Sequence, residues 1–263
     1  MLKGKTIFIT GASSGIGKAC AEHYAALGAR VIVTARRKDR LEKLAQHLRT
    51  SHHAEVLVVE LNVQDSANVK ATIEGLPAHW QEIDILINNA GLALNTAPIQ
   101  MGNTEDWDVM IDTNVKGLLY VTRAILPGMI ARNTGHIINI GSIAGRDYYP
   151  GGNVYCATKH AVKAISHSLR IDVAGTPIRV SEIAPGAIHT EFSEVRWKDK
   201  ARADAFYEDF TPLVADDIAR SVVFCTLQPA HVNISELVIH PTDQASVHMI
   251  TRKGEAPKAG ILR

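Results

Sequence analysis

Residues 10–17 read "TGASSGIG", and the segments on either side of them decide the fold. Before them comes a short apolar run, "TIFIT" (6–10); after them begins an amphipathic stretch long enough for a helix. Gly11, Gly15 and Gly17 punctuate the junction, with Ser13, Ser14 and Ile16 between them. Glycine tolerates positive φ and lets a ligand approach the backbone. A helix N-terminus offers unpaired N–H groups and partial positive charge, which suits a pyrophosphate. The spacing is not the common G-x-G-x-x-G, yet strand, glycine turn and helix follow in the order a dinucleotide site requires.

The same alternation continues outward. Apolar runs recur as "VIVTA" (31–35), "VLVVEL" (56–61), "DILINN" (84–89), "HIINIGS" (136–142), "RVSEIAPG" (179–186) and "ELVIHP" (236–241). Several are apolar at every position, as expected of strands covered on both faces in a parallel sheet. Stretches of helical length lie between them. The pattern predicts an α/β fold, a doubly wound open parallel sheet with helices on both faces. No linker, repeat or low-complexity segment interrupts it, so residues 1–250 are expected to form a single domain. The segment 251–263, "TRKGEAPKAGILR", lacks periodicity and is expected to be a flexible tail.

The end of the second run names the cofactor more closely. Sites for NAD usually carry an acid there to hold the ribose 2′-hydroxyl. Here Ala35 stands in that place, and Arg36 and Arg37 follow. Guanidinium groups bind a 2′-phosphate in a forked geometry. The cofactor expected is NADP(H), with Arg36 the better placed of the two.

Composition closes off other classes. The chain has 263 residues, 46% hydrophobic and 21% charged, with a formal net charge of +1. That balance gives no electrostatic reason to expect nucleic acid or an anionic membrane surface. No run is long enough for a membrane span. The opening apolar run is too short for a signal peptide, and three scattered cysteines, Cys20, Cys156 and Cys225, suit a reducing compartment. A cytoplasmic protein is expected. No Cys/His spacing suggests a metal.

Residues 104–132 read as one long helix, with Thr104 as its cap and Trp107, Met110, Ile111, Val115, Leu118 and Leu119 as its apolar stripe. Asn114 interrupts that stripe; a core asparagine bonded to backbone groups is one reading of it. Farther on, Tyr155 and Lys159 lie four apart, on one face of a helix. Chance supplies such pairs, so the pair by itself decides nothing.

The company they keep does. "TGASSGIG", "NNAG" (88–91), Asn114, Ser142, Tyr155-x-x-x-Lys159 and "PG" (185–186) occur in that order, and together they resemble the short-chain dehydrogenase/reductase family across nearly the whole chain. The resemblance implies a seven-stranded sheet and a catalytic set of Ser142, Tyr155, Lys159 and Asn114. In that set Tyr155 is the general acid/base and Ser142 bonds the substrate oxygen. Lys159 lowers the phenol pKa and holds the nicotinamide ribose, and Asn114 orients a water beside Lys159. It extends the cofactor contacts to Asn62, Val63, Asn88, Ala90, Gly91, Pro185, Gly186, Ile188 and Thr190. Asn62 stands where relatives often have Asp.

"NNAGLAL", "LPGM", "GHIINIGS", "TEF" with "VR" (190–196) and "PAHVNI" (229–234) are also similar to the NADP-dependent 3-hydroxy acid (serine-type) dehydrogenases. This narrower likeness implies a secondary alcohol or ketone of a short 3-hydroxy acid, such as serine, allo-threonine or a 3-hydroxypropanoate-like compound. A small acid needs a cation for its carboxylate. Arg196 and Arg146 are the candidates, Arg196 preferred. A larger ketone or aldehyde is the alternative substrate, and a non-catalytic NADP-binding regulator the remote one. The helices at 104–132 and 153–173 are more apolar than one sheet face requires; in the family they pair across subunits, which implies a homotetramer, or else a dimer.

Overall fold

The computed structural model describes residues 2–254. Seven strands form its main sheet: β1 (Thr6–Thr10), β2 (Arg30–Ala35), β3 (Val56–Glu60), β4 (Ile85–Asn88), β5 (His136–Ile140), β6 (Arg179–Pro185) and β7 (Glu236–Ile239). They run parallel in the order β3-β2-β1-β4-β5-β6-β7. All seven apolar runs of the sequence are these strands. The order reverses direction beside β1, and such a switch point opens a crevice at the carboxyl ends of the strands.

The helices are α1 (Gly15–Ala26), α2 (Lys38–His52), α3 (Ser66–Glu74), α4 (Thr104–Ile111), α5 (Leu118–Ala131), α6 (Asn153–Asp172), α7 (Phe192–Trp197), α8 (Lys200–Phe206) and α9 (Ala215–Thr226). Side chains alternate across a strand. Ile7 and Ile9 therefore join one core, with Tyr24 of α1, Leu41 of α2 and Val222 of α9. Phe8 joins the other, with Val69 of α3, Val121 and Met129 of α5 and Leu169 of α6. Both cores are built of buried apolar side chains, which is why β1 is apolar at every central position.

The long helix expected over 104–132 is three pieces. Between α4 and α5 the chain makes a π-helical turn, Asp112–Gly117. The cap is Asn103, whose Oδ1 accepts from Glu105 N at 2.8 Å and Asp106 N at 3.3 Å; Thr104 is the first helical residue. A carboxamide one residue earlier reaches both free N–H groups. Ile111 and Leu119 stand exposed instead of completing the apolar stripe. The widened turn changes the helical phase, so the stripe does not run straight across it.

The expected loose tail is tied down at its start. Thr251 N donates to Asp243 O at 2.8 Å and Lys253 N to Asp209 O at 2.5 Å. Arg252 donates to Phe206 O and lies over the Phe210 ring. Residues 255–263 lie outside the described residues. No helix among the described residues is long and apolar enough to cross a membrane.

Candidate active site

A cavity of about 600 Å³ opens at the carboxyl ends of the strands. Its floor is the turn between β1 and α1. Gly11 has φ of 67°, and a Cβ there would sit 2.9 Å from Asn89 Nδ2 and 3.0 Å from Ala90 Cα. Only glycine fits such a turn. Gly11, Ser13, Ser14, Gly15 and Ile16 line the cavity; Gly17 does not. A Cβ on Gly17 would lie 2.5 Å from Asn89 Nδ2 and 2.6 Å from Gly11 O, so this glycine serves packing of helix on loop.

Asn89, which the sequence reading passed over, braces the turn. Its Nδ2 donates to Thr10 O at 2.9 Å and Gly11 O at 3.2 Å. Asn88, expected at the cofactor, points the other way. Its Nδ2 donates to Thr122 Oγ1 and Asn139 Oδ1, both at 2.9 Å, inside the sheet–helix layer, and it does not line the cavity. Successive residues at a strand end face opposite sides, and two adjacent asparagines carry no mark of which is which.

Ala35, Arg36, Arg37, Asn62 and Val63 continue the wall, with Ala90 and Gly91 after β4 and Pro185, Gly186, Ile188 and Thr190 after β6. Arg37 is engaged: Nη2 donates to Ser13 Oγ at 3.0 Å and Ser14 Oγ at 2.9 Å, and Nη1 to Glu191 Oε2 at 3.2 Å. Arg36 has no side-chain partner among the described residues, and it is a free cation at the end of β2. A glycine turn that no side chain can fill, beside an uncommitted guanidinium, fits a dinucleotide carrying a 2′-phosphate. Gln244 is another lining residue the sequence did not reveal; its Oε1 accepts from Ala187 N at 2.7 Å and steadies the turn after β6.

Deeper in, Ser142, Tyr155 and Lys159 share the wall. Ser142 follows β5, and its Oγ accepts from Ala144 N at 3.1 Å within reach of the Tyr155 side chain. Lys159 is buried, with Nζ donating to Ile140 O at 2.9 Å and lying 5.9 Å from the Tyr155 ring centre. Burial pulls its ammonium down to about 8, and the Glu182 carboxylate pushes it partly back. The expected lowering of the phenol pKa is not what the protein by itself produces. Burial holds Tyr155 above the ordinary phenol value; the Ser142 hydroxyl and the Arg196 guanidinium oppose it. Lys159 is not among the opposing groups.

Asn114 sits on the π-helical turn and is buried. Its Oδ1 accepts from Leu92 N at 2.9 Å, and its Nδ2 donates to Leu92 O at 2.8 Å and Thr158 Oγ1 at 3.0 Å. The side chain therefore stitches the segment after β4 to α6, directly behind Lys159. A Cβ on Gly91 would touch both Asn114 Oδ1 and Lys159 Nζ.

The far side of the cavity belongs to α7 and α8. Arg196 lines it, with its guanidinium carbon 5.0 Å from the Tyr149 ring centre and 5.6 Å from that of Tyr155. Its Nη2 donates to Tyr149 Oη, and its Nε is buried without a partner. Arg202, stacked 4.9 Å over Trp197, adds a second cation to the wall. The other substrate candidate, Arg146, is not on the wall. It turns away beneath the sheet edge and pairs with Glu182 and Glu236. Two acids brought from β6 and β7 hold it there, a pairing that only the folded sheet creates.

The doubly wound sheet, the glycine turn and the Ser142–Tyr155–Lys159 group define a dinucleotide-dependent dehydrogenase site. The family model of the short chain dehydrogenases matches residues 5–201, and the chain belongs to that family. It is 46% identical over 248 residues to the NADP-dependent 3-hydroxy acid dehydrogenase YdfG of Salmonella typhi, covering 92% of this chain and 98% of that one. It is 44% identical to sulfoacetaldehyde reductase 2 of Chromohalobacter salexigens, covering 91% of this chain and 95% of that one. Among solved structures it matches the closed form of a serine dehydrogenase complexed with NADP+ at a TM-score of 0.89 and 43% identity, covering 94% of this chain and 99% of that one.

Proposed function

We propose that the protein is an NADP-dependent oxidoreductase of short 3-hydroxy acids and the matching 3-oxo acids. The observation that carries the substrate class is Arg196, a guanidinium set among aromatic rings beside Tyr155 with one buried N–H unspent. A carboxylate bound there meets a desolvated, charge-assisted partner. The relatives' names support the same class.

When bound, NADP(H) supplies or accepts the hydride. The glycine turn and the N-terminus of α1 would hold its pyrophosphate, Arg36 its 2′-phosphate with Arg37 bracing the turn beneath, and Lys159 its nicotinamide ribose. Tyr155 passes the proton to or from the substrate oxygen, and Ser142 donates a hydrogen bond to that oxygen as its charge changes. Asn114 keeps the Leu92 segment against α6, so Lys159 keeps its place. The assembly is a homotetramer, supported by exposed apolar side chains on two faces. The three buried free cysteines accord with a cytoplasmic location.

The test is NADPH formation and consumption over L- and D-serine, allo-threonine, 3-hydroxybutyrate, 3-hydroxypropanoate and several larger carbonyls. Turnover is expected with the short acids and NADP, and Arg196→Ala is expected to raise KM for them alone. Activity confined to larger carbonyls, or acid kinetics untouched by Arg196→Ala, overturns the substrate class.

A further inference from the structure

Glu182 lies on β6, one strand in from the sheet edge, with no exposed surface. A carboxylate in such a place is costly unless paired. Its partner is Arg146, in two parallel bonds: Nη1 to Oε1 at 3.0 Å and Nη2 to Oε2 at 2.9 Å. Arg146 Nη2 also donates to Glu236 Oε2 at 2.7 Å, and Glu236 Oε1 meets His167 Nε2. The chain of charges runs from half-exposed His167 on α6 to the interior.

The inner end of this chain touches the reaction site. Arg146 closes the short helical turn, residues 143–145, that Ser142 caps. Glu182 lies beneath the preceding residue: a Cβ on Gly141 would fall 2.0 Å from Glu182 Oε1. The turn packs on α6 as well, since a Cβ on Gly145 would fall 2.6 Å from Lys159 O. Lys159 in turn is faced by Tyr155 on its own helix, the Ile140 carbonyl on β5, the Asn114 amide behind Gly91 and the Glu182 charge on β6. Glu182 is faced by Arg146 and, through it, by Glu236 and His167.

We propose that Glu182 is a positioning residue of the reaction site: through Arg146 it fixes the turn carrying Ser142, and by its charge it keeps Lys159 an ammonium. The inference rests on the reading that Ser142, Tyr155 and Lys159 perform the chemistry. It also gives Arg146 its task.

The sign follows from charge. Removing the carboxylate's negative charge disfavours the ammonium and lowers the Lys159 pKa further. Activity that needs the ammonium is lost as pH rises through that pKa. In Glu182→Gln the alkaline limb of kcat/KM for carbonyl reduction is therefore expected about one pH unit lower than in the parent. Glu182→Asp keeps the charge but shortens the reach to Arg146. Its limb is expected to stay in place while kcat falls about tenfold and KM changes little.

A Glu182→Gln profile superimposable on the parent, or scaled down without moving, overturns the electrostatic part. A kcat within twofold of the parent in Glu182→Asp overturns the positioning part, and that variant carries the test if the Gln protein does not fold. Tyr155→Phe separates the failures. If it remains active, the reading of the site has failed; if it is silent while both Glu182 variants behave as the parent, only this inference has.

Discussion

Arg36 and Arg37 are neighbours in the chain and differ in what they are free to do. Arg37 spends its donors on two serines of the glycine turn and on Glu191, so it stiffens the cofactor floor. Arg36 keeps its guanidinium uncommitted on the cavity wall. A charge-assisted bond to phosphate contributes about 1.5–3 kcal/mol, or roughly ten- to a hundredfold in affinity. Arg36→Ser is therefore expected to raise the Kd for NADPH by that factor while leaving the Kd for NADH nearly unchanged. Fluorescence titration of both nucleotides checks it, and an equal loss for both would remove Arg36 from the 2′-phosphate site. The same scale shows where sequence reading reaches its limit. "RR" after a strand announces a phosphate-binding pair, but which arginine is spent on neighbours depends on residues as distant as Glu191.

At the scale of elements, the π-helical turn is the decisive detail of the α4–α5 stretch. It places Asn114 where all three of its bonds reach Leu92 and Thr158. These are the bonds of a core asparagine satisfied largely by backbone groups. Its structural bonds hold the segment that faces Lys159. Asn114→Ala leaves Leu92 N and Leu92 O buried and unpaired. Each such loss costs about 1–3 kcal/mol, so unfolding in urea is expected about 2 kcal/mol or more less stable. Turnover is expected to fall more than KM rises. A variant as stable as the parent would show that water or another group takes over those bonds without strain. No pattern of apolar spacing reveals a π turn, because one inserted residue shifts the phase without altering composition.

For the whole molecule, apolar side chains left exposed on two faces point to assembly. Ile111, Leu119, Ile130 and Ile171 are exposed on α4, α5 and α6; Phe224, Leu227 and Val238 are exposed on α9 and β7. Two separate faces suit an assembly with two kinds of twofold contact. Light scattering is expected to give a tetramer at micromolar concentration, and a monomer would overturn that assembly. The sequence by itself determined the strands, their parallel covering by helices, the glycine turn and the order of Ser142, Tyr155 and Lys159. These are local properties: apolar runs, turn chemistry and residues one helical turn apart. Only the tertiary structure decided that Asn89 rather than Asn88 supports the cofactor turn, and that Arg146 belongs to Glu182 and Glu236 rather than to a substrate. It also decided that burial holds Tyr155 above the ordinary phenol value. Facing, ion pairing and desolvation arise between segments far apart in the chain, and only the packed sheet brings those segments together.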